Sequence, residues 1–336
     1  MRTTKNVLKT EMDGDKNLPG GKLLPYCKYP GAGDTELHGL QPLPDVLPVA
    51  TMEAAGQYRS SKFEIVLADR LDAKKLSQMA RVIARSFAIN DPMIRHLNLP
   101  KEFPADVSAL KHKDAYGTNC FGDWTKENII FWLVRLFYLT DPFSPLDAIG
   151  DNDDAIRQSL AVLNAEGEVI GGVLNIKLDL ANAGRAMRDN DPFIKAVLPF
   201  FEANSQFLTT QAGLSLNTVC KKYPAFLMAL RGGKVADLNM LARSPLLPSE
   251  DTFEMVAASA EHLQQLGFEY LIVSAGNQWT GAACEVLGGV KVHFAPFRDE
   301  KRVNESCEPV DGKPSSKDGY ISDKDSGCML YVIRLV

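Results

Sequence analysis

The chain of 336 residues lacks any long apolar run. Its longest strongly apolar stretch, residues 129–139, is too short to cross a bilayer and carries Arg135. It is expected to be a buried or pocket-lining helix, and no membrane association is expected. No apolar segment follows Met1, so a secretory leader is not expected either. A surplus of positive charge is also missing. Lys and Arg number 37 against 42 Asp and Glu, a net charge of -5, so no global basic field exists to hold nucleic acid. The six cysteines (Cys27, Cys120, Cys220, Cys284, Cys307 and Cys328) stand far apart with no CxxC pair. That spacing argues against a zinc site and a disulfide framework, and it fits a reducing, cytoplasmic compartment. Arg2, Lys5 and Lys9 before the first acid, Glu11, leave an organelle address as an alternative.

What is present is an ordinary globular composition, 45% hydrophobic, in a recognisable order of elements. Residues 1–60 hold Pro–Gly clusters and no periodic apolar face, and are expected to form an irregular arm on a domain spanning 61–336. Residues 63–67 alternate like a strand. Asp72 can cap a helix running to about Phe87, with Leu76, Met79, Val82, Ile83 and Phe87 at spacings of three and four. That helix is expected to end before Asn90-Asp91-Pro92. An aromatic-rich helix over 125–139 follows, inside an insert at about 98–150. Residues 159–164 and 169–177, joined by Ala165-Glu166-Gly167-Glu168, carry the clearest hairpin signal. A helical insert over 181–233 precedes a strand at 235–242. A helix opening with Asp251 and Glu254 comes next, then a strand at 270–274, a helix ending at Gly288-Gly289, and strands at 290–294 and 329–336. Hairpin strands ahead of two βα units imply a mixed α/β (α+β) sheet.

That order, with four local motifs, resembles the acetyl-CoA-dependent N-acyltransferases of the GNAT superfamily over residues 63–336. Ser86-Phe87-Ala88-Ile89-Asn90-Asp91-Pro92 is similar to the end of that family's first helix, and Glu168-Val169-Ile170-Gly171-Gly172 to its third strand. The strand at 235–242 and the helix after it fall where the cofactor strand and helix belong. Asn277, Glu285, Leu287 and Gly288 match a further spaced motif. The insert between the third and fourth strands and the long final loop are similar, more loosely, to the arylalkylamine (dopamine-type) branch.

The resemblance implies acetyl transfer from acetyl-CoA to a small-molecule amine, with the pantetheine arm held where the fourth and fifth strands splay apart. Asp91 falls at that branch's catalytic carboxylate and would be the base; His96 lies near it. Backbone N–H groups around Met240, Leu241 and Ala242 would face the cofactor, Met240's or Leu241's polarising the thioester carbonyl. Asn277 and Thr280 would contact the cofactor arm. Each has a plainer reading as well: Asp91 as a turn residue before proline, Thr280 as a helix-start cap, and the aromatic cluster as core rather than acceptor pocket.

Two departures from the family pattern stand out. Its pyrophosphate loop is glycine-rich, whereas Arg243-Ser244-Pro245-Leu246-Leu247-Pro248-Ser249-Glu250-Asp251 has no glycine and two prolines, which lack N–H groups. Its acids compete with phosphate for the helix start: one like-charge pair costs ~3 kcal/mol at ~5 Å and an effective dielectric of ~20. Lys221, Lys222 or Arg231 could offset that, or be solvated surface. Cys284 stands where many members place an acidic tyrosine, and reads either as that acid or as a small buried residue. Two rivals follow from these departures. One is a non-catalytic ligand- or partner-binding protein of the same fold; the other is an acyltransferase using a different donor.

Overall fold

The computed structural model describes residues 42–52, 63–90, 125–134, 153–178, 216–244, 247, 251–276, 278–296 and 327–336. Its centre is a seven-stranded sheet. The strands are β1 (Glu64–Leu67), β2 (Leu160–Leu163), β3 (Val169–Lys177), β4 (Val235–Arg243), β5 (Tyr270–Ala275), β6 (Val290–Pro296) and β7 (Gly327–Arg334). They lie in the order β1-β2-β3-β4-β5-β7-β6. Every neighbouring pair is antiparallel except β4 with β5. The sheet is thus mixed, as the order of elements requires. The hairpin β2–β3 closes through Asn164, which accepts from the Gly167 N–H at 2.9 Å and whose side chain accepts from the Glu168 N–H at 2.7 Å.

The helices are α1 (Ala73–Asn90), α2 (Lys126–Val134), α3 (Asp153–Gln158), α4 (Pro224–Arg231), α5 (Asp251–Gln265) and α6 (Gln278–Val286), with a further helical stretch over 216–222. Asp72 does cap α1, its carboxylate accepting from the Lys75 N–H at 2.8 Å. The helix runs through Asn90, three residues beyond Phe87. Proline disfavours helical geometry only in the residue directly before it, here Asp91, so Asn90 can still be helical. Phe131 of α2 is core rather than pocket wall: it is buried, with the Arg81 guanidinium of α1 3.9 Å from its ring centre. Residues 135–139 of the aromatic helix lie outside the described residues.

Alternation of side chains divides the sheet into two faces. On one, Ala236, Leu238, Leu271, Val273, Tyr331 and Ile333 pack with Met255, Val256 and Leu263 of α5 and Ala283 and Cys284 of α6. On the other, Val235, Tyr270, Ile272 and Val332 pack with Val219, Phe226 and Leu230. Phe226 meets Tyr270 edge-on, ring centres 5.2 Å apart. α1 shares this second face and crosses β3 at Gly172, where a Cβ would stand 3.0 Å from the Met79 side chain. Glycine lets the helix approach that closely.

Residues 42–52 are irregular, as expected of the arm, yet they are built into the domain. Leu47 is buried in the second core, Val49 bridges to Arg334, and the Ala50 N–H donates to the Arg334 carbonyl at 2.7 Å. The Lys222 ammonium reaches the Leu43 carbonyl and lies 3.8 Å from Asp45. It serves this segment rather than a phosphate.

The first face also holds a buried polar cluster. The Asn175 amide donates to the Gln158 carbonyl at 2.7 Å, and its carbonyl accepts from the Ser259 hydroxyl at 2.9 Å. Its backbone N–H donates to the Ser159 hydroxyl at 3.2 Å, and that hydroxyl donates to the Ala155 carbonyl at 2.6 Å. Asn175, Ser159 and Ser259 are all at 0% exposure, so each bond lost there leaves a partner that water cannot reach. Asn175→Ala is expected to cost about 2–4 kcal/mol, and Ser259→Ala about 1, read as a shift in the urea midpoint at unchanged slope.

Candidate functional site

β4 carries the site because it cannot stay paired on both sides. Its parallel ladder with β5 runs from Val235–Tyr270 to Leu238–Val273 and stops there. Beyond that rung β4 continues to Arg243 along β3, and β5 continues to Ala275 along β7, so the two part. The register supplies the cause. Leu174 pairs with Met240 and Asn175 with Leu238, so Asn239 is an extra residue, a bulge, in β4.

The bulge also resets which backbone groups face the opening. The Leu178 N–H donates to the Val235 carbonyl, so below the bulge Val235 and Asp237 turn their polar groups to β3, and Ala236 and Leu238 to β5. Above it the Ser244 N–H donates to the Ile170 carbonyl at 2.7 Å. By alternation Ala242 and Met240 face β3, while the N–H groups of Leu241 and Arg243 turn toward the opening. Of the two donors offered by the sequence for a thioester carbonyl, Leu241's is the one on the open side.

Asp237 was not singled out in the sequence, and its position is the most chemically pointed in the site. It lies on β4 one rung before the strands part, on the face shared by α1 and α4. Among the described residues no cation pairs with it; its partner is the Asn239 amide at 3.4 Å. Burial pushes its carboxyl up to about 6, the Asn239 hydrogen bond acting weakly the other way. A half-buried carboxylate of that kind is a proton acceptor near neutral pH. The exposed Ser274 lies on the same face of β5, just past the last shared rung.

Arrangement on the first face is different. α6 ends in a Schellman turn: Gly288 at φ +82° donates to the Glu285 carbonyl at 2.9 Å, and the Gly289 N–H to the Cys284 carbonyl at 2.8 Å. Within the spaced motif, Glu285 accepts from the Tyr331 hydroxyl at 2.7 Å and Leu287 is core, which fastens α6 to β7. Thr280 is buried in the first turn of this helix. Cys284 is at 0% exposure within the core, and burial, with the Glu285 charge second, raises its thiol pKa. It occupies its place as a small buried residue, closed to solvent. Asp91, His96 and Asn277 lie outside the described residues.

The opening thus joins the face bearing the starts of α5 and α6 to the face bearing Asp237. A fourth and fifth strand that part after four rungs are what the sequence resemblance implied. The fold is GNAT-like. No family model and no curated protein sequence matches the chain. Among solved structures, it is similar to an arylalkylamine N-acetyltransferase 7 from the yellow fever mosquito Aedes aegypti, at 13% identity and a TM-score of 0.48, covering 82% of this chain and 88% of that one. It is also similar to an agmatine N-acetyltransferase, at 12% identity, TM-score 0.45 and coverage of 82% and 100%. A third is the C-terminal condensation domain of Ebony in complex with β-alanyl-dopamine, at 12%, 0.45, and 81% and 99%.

Asp237 makes a signed prediction about pH. Its folded pKa of about 6 lies above the ordinary 3.8, so the fold prefers the protonated form. It is neutral to stability below about pH 4; the penalty grows between about pH 4 and pH 6 and stays level above that. Asp237→Asn is therefore expected to raise stability by about 1–3 kcal/mol at pH 7–8 and to add nothing at pH 4. Thermal melts of both proteins across that range measure it.

Proposed function

We propose that this chain is an N-acetyltransferase that moves the acetyl group of acetyl-CoA to the amine of a small molecule in the cytoplasm. The observation that supports this reading is the β4–β5 opening with a proton-accepting carboxylate beside it. The thioester would lie in the opening with its carbonyl on the Leu241 N–H, Met240 and Ala242 forming the adjoining wall, and Asn277 and Thr280 against the arm. The acceptor would approach from the Asp237 face. An acceptor amine is protonated at neutral pH and cannot attack until it loses a proton. Asp237 is placed to take that proton, with Asp91 the second candidate for the same step, directly or through water. The amine nitrogen then bonds to the carbonyl carbon, the C–S bond breaks, and the departing thiolate takes up a proton. Cys284 is a weak candidate to supply it, because its thiol is sealed in the core; water entering the opening is the simpler source.

A second reading is favoured by one feature, the glycine-free loop ahead of α5. On that reading the same opening binds a ligand or partner without chemistry. Acetyl-CoA at 100 times its Kd is expected to stabilise the protein by about 2.7 kcal/mol, visible as a rise in Tm. No rise at about 1 mM would remove the catalytic proposal and leave the binding one. Given turnover, Asp237→Asn is expected to lower kcat/KM about 10²-fold or more and to abolish the acidic limb of its pH profile. Asp91→Asn, measured alongside, assigns the base: whichever variant loses that limb is the one that carried the proton.

A further inference from the structure

The opening for a pantetheine arm and the loop for a pyrophosphate are separate pieces of such a site, and the described residues build the first. Between Arg243 and Asp251 the two described residues, Ser244 and Leu247, both have their N–H groups engaged. The Ser244 N–H is engaged by the Ile170 carbonyl at 2.7 Å and the Leu247 N–H by the Ser244 carbonyl at 3.0 Å. Pro245 and Pro248 have no N–H at all. The Arg243 guanidinium bonds the Leu247 carbonyl, turning the nearest cation inward. Leu247 is at 3% exposure and belongs to the core under α5, so its side chain fills space beneath the loop. At the start of α5 stands Asp251, at 8% exposure, with Glu254 one turn on. Two carboxylates thus stand in the first turn of the helix, at the end that would otherwise attract phosphate.

We infer that the acyl donor is recognised by its acyl-pantetheine arm alone, and that the adenosine diphosphate part of acetyl-CoA contributes little to binding. This rests on the acyl-transfer reading above and names its donor class: a pantetheine thioester, free or carried on a protein. Such donors share the atoms that enter the opening and the reaction is unchanged. The amine forms the new C–N bond, the C–S bond breaks, and the proton leaving the amine ends on the released pantetheine thiol.

The test compares acetyl-CoA, acetyl-pantetheine and the same acetylated arm on an acyl carrier protein as donors to one amine, with 3′,5′-ADP as a probe of the missing piece. Acetyl-pantetheine is expected within about tenfold of acetyl-CoA in kcat/KM, and about 1 mM 3′,5′-ADP is expected neither to inhibit nor to raise Tm. A carrier-borne arm that outperforms the free one assigns the source to a protein; parity assigns it to the small thioester. Both support the inference. A preference for acetyl-CoA of about hundredfold or more, or inhibition by micromolar 3′,5′-ADP, overturns this inference while leaving acyl transfer intact. Failure of every thioester to bind or react overturns acyl transfer and this inference together.

Discussion

One strand with two incompatible neighbours governs this molecule. β4 is parallel to β5 and antiparallel to β3, and the two ladders hold together only as far as Leu238. The extra residue, Asn239, changes the phase of β4 against β3, and β5 does not follow. Each ladder rung forgone would stabilise the fold by about 1 kcal/mol, so the parting has to be held open by the surroundings. The Asn175 cluster is well placed to do so. Asn175 is the rung on the near side of the bulge; its side chain is tied to α3 and to α5, and its backbone N–H to Ser159 just before β2. A strand fixed in register at that rung has to absorb the extra residue immediately beyond it.

The parting gives the sheet a polarity across its thickness. Toward α1 and α4 the edge of the opening carries Asp237, Asn239 and Ser274, all polar and at least partly accessible. Toward α5 and α6 it is dominated by core residues, Leu241, Val273, Ala275 and Cys284 among them. On the first side stands a desolvated carboxylate with no cation beside it among the described residues. An extended apolar group belongs on the second. Arg243, the last residue of β4, extends the same asymmetry, since its guanidinium bonds the Leu247 carbonyl.

Local signals in the sequence carried much of this architecture. The Asp72 cap, the Asn164 to Glu168 turn and the Gly288-Gly289 stop each depend on residues a few positions apart, and each forms as its chemistry requires. Long-range pairing was not legible in that way. Nothing in residues 327–334 says that they lie between β5 and β6, because apolar alternation marks a strand and not its partners. Leu47 escaped notice because a single buried side chain among prolines has no period. Asp237 and Asn239, two polar residues inside an otherwise apolar strand, were the available sign of the desolvated acid and the bulge. In a strand covered on both faces, a lone acid is the position to question first.

The place of β7 has a consequence for how the chain reaches this structure. β6 is synthesised before β7, but β7 is its pairing partner among the described strands. β5 likewise has β4 on one edge and waits for β7 on the other. While Gly327–Arg334 is still unmade, a nascent chain therefore carries two unsatisfied strand edges, and the residues between β6 and β7 must be traversed before either closes. The last strand to emerge is the keystone of that half of the sheet. Its late arrival leaves an interval of edge exposure in which strand addition from another chain competes with native pairing.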